Sequence, residues 1–146
     1  MCGIAGLYAY AGDAPPIDRE ALRRMNDRMA PRGPDGEGFW TPGDGRIGFA
    51  HRRLSIIEVT DAGAQPMHLD GNRRVVTFNG EICNFRALRA ELEQEGRRFE
   101  TDSDTEVLLH LYDRDGAGMV SRLRGMFAFA IWDAERKGVF LARDGF

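Results

Sequence analysis

The stretch Met1-Cys2-Gly3-Ile4-Ala5-Gly6-Leu7-Tyr8-Ala9-Tyr10 decides how this chain is read. From Gly3 onward it is short and largely apolar, interrupted by Gly3 and Gly6, which predicts a buried strand over 3–10. Ahead of it stands Cys2, which becomes the first residue once the initiator methionine is removed. A cysteine in that place carries both a thiol and a free α-amino group. The amine titrates at roughly 7.7–8.0 in an unperturbed chain. It can therefore take the thiol proton without a histidine, the N-terminal variant of an activated nucleophile. Position alone favours an ordinary early cysteine; the remaining segments reverse that.

With 146 residues, 42% hydrophobic and 29% charged, the chain reads as one soluble globular domain. A net charge of −3 gives no argument for nucleic acid or an anionic membrane as partner. Cys2 and Cys83 are the two cysteines, too few for a dense disulfide framework and wrongly spaced for zinc. A reducing, cytoplasmic setting follows. The N-terminus has no basic leader, and no run approaches the ~20 apolar residues of a membrane span. His51, His68 and His110 have no metal or dyad spacing, and Asp102 and Asp104 lack the EF-hand pattern, so no metal is expected.

Outward from the first strand, Asp18 is placed to cap a helix to about Met29, with Ala21, Leu22, Met25 and Met29 on one face. Two prolines and two glycines make 31–36 a loop. Phe39-Trp40 and 47–52 form a strand pair across the turn 42–45, and 54–67 reads as an ordered loop. Asp70-Gly71 signals a hairpin before a strand over 74–79. Asn84 is expected to cap a helix to about Glu95, with Phe85, Leu88 and Leu92 inward. Ser103-Asp104-Thr105-Glu106 has capping-box spacing and opens a helix with Val107, Leu108 and Leu111. A short helix at 119–123, a buried strand over 126–132 and a last strand over 139–142 complete the pattern. This mixture predicts a layered α+β domain.

Several segments then fit one pattern. Met1-Cys2-Gly3-Ile4-Ala5-Gly6, Arg32-Gly33-Pro34-Asp35, Asn79-Gly80-Glu81-Ile82 and Ser103-Asp104-Thr105-Glu106 resemble, in order, the segments of class II glutamine amidotransferases. The branch it most resembles is the asparagine synthetase-like one, through Ala50-His51-Arg52-Arg53-Leu54-Ser55-Ile56, Ala64-Gln65-Pro66-Met67 and Gly125-Met126-Phe127-Ala128-Phe129-Ala130. The resemblance implies a four-layer α-β-β-α sandwich of the N-terminal-nucleophile hydrolase type. Its C-terminal strands are expected to be missing, because the last strand stops at Phe146. Such a sandwich would expose a sheet edge or apolar face and favour self-association.

The resemblance also implies a chemistry: Cys2 attacks the side-chain amide of glutamine, releases ammonia and leaves a γ-glutamyl thioester for water to hydrolyse. It assigns the oxyanion hole to the Asn79 amide and the Gly80 N–H. Asn79-Gly80 taken without that context reads as a type I′ turn. Arg53 would hold the α-carboxylate of glutamine and Asp104, with Glu81 beside it, the ammonium; Ile56 and Ile57 would add backbone contacts. The 32–35 loop, with Arg32 and Gly33, would close as a lid. The glutaminase domain itself needs no cofactor. ATP and Mg belong to the synthetase domain expected to use the ammonia, a partner along with glutamine and a candidate second copy of the chain.

Two positions depart from the pattern. Pro31 replaces the histidine usual before Arg32, a change similar to a less common branch that amidates peptide-like osmolytes. Cys83 stands where tyrosine is usual and is read as a small buried filler. The acceptor could thus be aspartate or a dipeptide-like carboxylate, or the chain could belong to a glucosamine- or purine-pathway amidotransferase. From another class, a non-catalytic glutamine-binding or regulatory module would keep the fold without turnover.

Overall fold

A computed structural model describes residues 2–55 and 61–145. Two antiparallel sheets organise it. In the first, β3 (Ile47–Arg53) lies between β1 (Gly3–Tyr8) and β2 (Gly36–Trp40). The registers Ile4↔His51 and Phe39↔Ala50 set it. The second has the order β4 (Met67–Leu69), β5 (Arg74–Ile82), β6 (Gly125–Asp133), β7 (Gly138–Arg143).

The two-residue period of β5 separates the two cores. Val75 joins Trp40, Ile47, Phe49, Ala130 and Trp132 between the sheets. Its neighbour Val76 turns the other way, toward Leu88, Leu92, Val107, Leu108 and Leu111. Those leucines come from α2 (Phe85–Gln94) and α3 (Asp104–Asp115), which pack together while α3 covers β4 and β5. On the far side α1 (Arg19–Arg28) covers β1 and β3. The layers are therefore α-β-β-α, as expected.

Local readings hold to different degrees. Asp18 caps α1, accepting from the N–H groups of Glu20 and Ala21. Leu22 and Asn26 form its buried face, and Met25 is 39% exposed, because Asn26 reaches Glu37 on β2. Asn84 stands at the N-cap of α2 as expected, but its side chain makes no cap hydrogen bond to the helix. Its amide is taken by the Arg122 carbonyl and the Arg124 N–H, tying the helix start to the β6 approach. Ser103 caps α3 at Thr105, but Glu106 reaches back past it to Glu100 and Thr101. The segment read as loop before Met67 runs into the short strand β4, and 119–123 belongs to a 3-10 turn over Gly116–Arg122.

Three expectations are corrected. β1 ends at Tyr8 and is half-buried, since among the described residues it is an edge strand paired with β3 alone. Its inner face opens on an apolar cleft of about 530 Å³ toward β7, where Leu141 is 71% exposed. Cys83 is exposed: it follows the last residue of β5, with its N–H on the Arg124 carbonyl and its side chain outside both cores. Asn79-Gly80 is not a turn, because β5 runs on to Ile82 and pairs these residues with Ala128 and Phe127 of β6. The hairpin loop lies earlier, over the four residues 70–73 between the paired Leu69 and Arg74, with positive φ at Asp70 and Gly71.

Candidate active site

β1 and β3 bring Cys2 beside the end of β3. The Cys2 sulfur accepts the Leu54 N–H at 3.3 Å and lies 3.6 Å from the Leu54 carbonyl. Arg53, the last residue of β3, lines the same cavity.

The 32–35 loop is docked on this strand end. Arg32 Nε donates to the Cys2 carbonyl at 3.2 Å. The Asp35 N–H donates to the Arg53 carbonyl, and the Asp35 carboxylate accepts the Ser55 N–H, both at 2.9 Å. Gly33 is required by close approach: a Cβ there would lie 2.4 Å from the Arg52 carbonyl carbon.

The opposite wall is β5. Residues of a strand point their backbone groups alternately to its two edges. On the edge away from β6, the Phe78 N–H meets Gln65 Oε1 at 2.6 Å and the Ile82 N–H meets Asp104 Oδ2 at 3.0 Å. The N–H of Gly80, midway between them, falls on that same edge and lines the cavity. Gly80 has φ +151, and a Cβ would sit 2.1 Å from the Met126 carbonyl oxygen, so the close pairing with β6 demands glycine. Asn79 lines the cavity too, and its Oδ1 is buried without a hydrogen-bond partner.

Asp104 opens α3 and is buried. Burial pushes its carboxyl above the usual range, the N–H groups of Ile82 and Thr105 pull it back, and the charge of Glu81 raises it further. Two carboxylates that resist sharing their negative charge make a wall suited to a cation. Glu106, one turn on, fixes this helix start. It accepts from the N–H groups of Glu100 and Thr101 at 2.9 and 2.7 Å and from the Thr101 hydroxyl. Burial opposes its charge, yet these bonds and the neighbouring His110 ring hold it down at about 2.

The cavity has a volume of about 150 Å³. Cys2, Arg53, Asn79, Gly80, Glu81 and Asp104 all line it. Arg32 and Gly33 lie behind it through their contacts with Cys2 and β3. Ile56 and Ile57 lie outside the described residues. Ser55, Gln65, Thr105 and Met126 also line the cavity; each stands inside a segment that carries the family resemblance, but no site role is read for it from the sequence. Among the described residues no group of three His, Cys, Asp or Glu could hold a metal ion, and no helix is long and apolar enough to cross a membrane.

The family model described as a glutamine amidotransferase domain matches residues 1–146. The glutamine-hydrolyzing asparagine synthetase 1 of Bacillus subtilis (strain 168) is 44% identical over 147 residues, covering 100% of this chain and 23% of the relative. The glutamine-hydrolyzing asparagine synthetase B of Escherichia coli (strain K12) is 42% identical over 144 residues, covering 99% and 25%. The chain thus spans about a quarter of the length of these relatives. Among solved structures, the glutamine phosphoribosylpyrophosphate amidotransferase of B. subtilis superposes with a TM-score of 0.57 at 29% identity, over 69% of this chain and 24% of that one. This likeness bears out the N-terminal-nucleophile hydrolase fold.

Proposed function

This chain belongs to the glutamine amidotransferase domain family, and from that membership we propose that it hydrolyses free glutamine to glutamate and ammonia, with Cys2 as the nucleophile. The single observation that carries the reading is that Cys2, Arg53, Asn79, Gly80 and Asp104, brought together from both sheets and a helix, line one cavity. In the proposed reaction the free α-amine of Cys2 takes the thiol proton. The thiolate attacks the side-chain carbonyl carbon, whose oxygen becomes negative and is held by the Asn79 amide and the Gly80 N–H. The C–N bond breaks, the held proton goes to the leaving nitrogen, and ammonia departs. Water then passes one proton to the α-amine as it attacks the thioester, the thiolate leaves, and the new carboxyl gives its proton to solvent, yielding glutamate.

Specificity for a zwitterion follows from charge placement. A guanidinium binds a carboxylate through two parallel hydrogen bonds, the role proposed for Arg53. Asp104, with Glu81, would receive the ammonium. The 32–35 loop, with Arg32 on the Cys2 carbonyl and Asp35 on Ser55, would close the site against bulk water.

The acceptor chemistry is proposed from the relatives. In them the ammonia would serve ATP-dependent amidation of a carboxylate such as aspartate, in a synthetase domain that would bind ATP and Mg. A cytoplasmic location fits a free thiol nucleophile.

A diazoketone analogue of glutamine tests the nucleophile. Intact mass should show loss of Met1 and one adduct, mapped to Cys2, and Cys2→Ala should take up none. Retained Met1 with no adduct on Cys2 would sink the reading.

A further inference from the structure

β5 carries the proposed oxyanion donors on an edge with too few strand partners. β4 reaches only from Leu69, opposite Arg74, to Met67, opposite Val76. Beyond Val76 that edge of β5 has no strand among the described residues. The backbone groups of Phe78 would be left open there, two positions before Gly80.

Two side chains take them. The Phe78 N–H donates to Gln65 Oε1 at 2.6 Å, and His51 Nε2 lies 3.1 Å from the Phe78 carbonyl oxygen. A carbonyl only accepts, so Nε2 carries the hydrogen. Burial lowers His51 to about 4, so the ring is neutral near pH 7 and its tautomer is set by this bond. Gln65 is itself held: its Nε2 donates to Thr105 Oγ1 at 3.4 Å, beside Asp104. Its backbone packs so closely on β2 that a Cβ on Gly38 would lie 1.8 Å from its carbonyl oxygen. His51 comes from β3, two residues before Arg53. His51 thus reaches β5 from the strand that carries Arg53, and Gln65 is braced on the helix that carries Asp104.

We propose that Gln65 and His51 are positioning residues for the oxyanion donors: together they replace a strand partner at Phe78 and so fix Asn79 and Gly80, the next two residues. This rests on the glutamine-hydrolysis reading. Neither side chain touches the reacting atoms. Their loss lets β5 shift at Phe78 and misaims the Asn79 amide and the Gly80 N–H, which matter in the transition state, while Arg53 and Asp104 still bind glutamine. Turnover falls and affinity stays.

The test compares Gln65→Met, which keeps length and loses the acceptor, His51→Leu, which loses the donor, and His51→Gln, whose amide can restore it. Three quantities are read: kcat, KM for glutamine, and the rate of Cys2 alkylation by iodoacetamide, a displacement that forms no oxyanion. Gln65→Met and His51→Leu should lower kcat about tenfold or more, with KM within about twofold and the alkylation rate unchanged. His51→Gln should recover most of the loss. Unchanged kcat in Gln65→Met and His51→Leu overturns the proposal. So does a parallel fall in kcat, affinity and alkylation, which marks a scaffold role alone. If His51→Leu fails to fold, Gln65→Met decides by the same readouts. Absence of hydrolysis in the unsubstituted protein overturns the underlying reading as well, a result distinct from a failure confined to the variants.

Discussion

At the scale of single residues, each proposed role makes its own demand. Asn79→Ala removes one oxyanion donor while leaving Arg53 and Asp104 in the cavity. Steady-state kinetics should show kcat down by about 10²–10³, with KM for glutamine little changed. Unchanged turnover would remove Asn79 from the oxyanion hole. Arg53→Lys keeps the charge and loses the planar fork, so it should raise KM with kcat largely retained. The five residues proposed for the chemistry were legible in the sequence as candidates, Cys2 through its thiol and its position and the other four through the roles that the family resemblance implies. Gln65 and His51 were not. A glutamine and a histidine acting on a backbone three dimensions away leave no spacing to read.

Elements show where local signals and tertiary pairing part. Asn79-Gly80 has the composition of a tight turn, yet nine residues from Arg74 to Ile82 form one strand. The partner strand β6 decides this, since it offers backbone groups along its whole length and a gap at Gly80 that no side chain could enter. Asn84 shows the same competition: its amide has a cap within reach, but the 122–124 backbone takes it instead. The 32–35 loop was legible as irregular from its prolines and glycines, but not as docked on β3. That docking predicts the effect of Gly33→Ala. The new methyl would meet the Arg52 carbonyl carbon at 2.4 Å and push the loop off the strand that carries Arg53. Denaturant titration should show a loss of about 1–3 kcal/mol, with a raised KM for glutamine. Wild-type stability and KM would show that the loop yields without disturbing the site.

Across the whole molecule, the buried histidine between the sheets makes stability depend on acid. His51 in the folded protein stays neutral down to about 4, while its unperturbed value is 6.5. Between those values the unfolded chain binds a proton that the folded chain refuses. The contribution of His51 is therefore complete above pH 6.5 and is lost as pH falls toward 4, by about 3 kcal/mol at most. Glu106, held down at about 2, loses its contribution as pH falls below its ordinary 4.5, so the two windows overlap only at their acid and upper ends respectively, below pH 5. Asp104, raised by burial, works in the opposite sense and offsets part of the loss. Urea midpoints at pH 7 and pH 5 should separate more in the natural protein than in His51→Gln; equal separations would show that His51 titrates normally.

By itself the sequence determined the elements whose cause is local: the Asp18 cap, the Asp70-Gly71 hairpin, the helix from Ser103, and the alternating and continuous apolar runs. Such features depend on hydrogen bonds and torsions within a few residues, so they survive without knowledge of the rest. Tertiary structure decided which face of β1 is open, that Asn79-Gly80 is strand, that Cys83 faces outward, and that Gln65 and His51 complete the edge of β5. Each depends on a partner distant along the chain, from His51 meeting Phe78 to Gly80 meeting Met126. A backbone group takes whatever partner the fold brings to it, and only the assembled sheets settle which one that is.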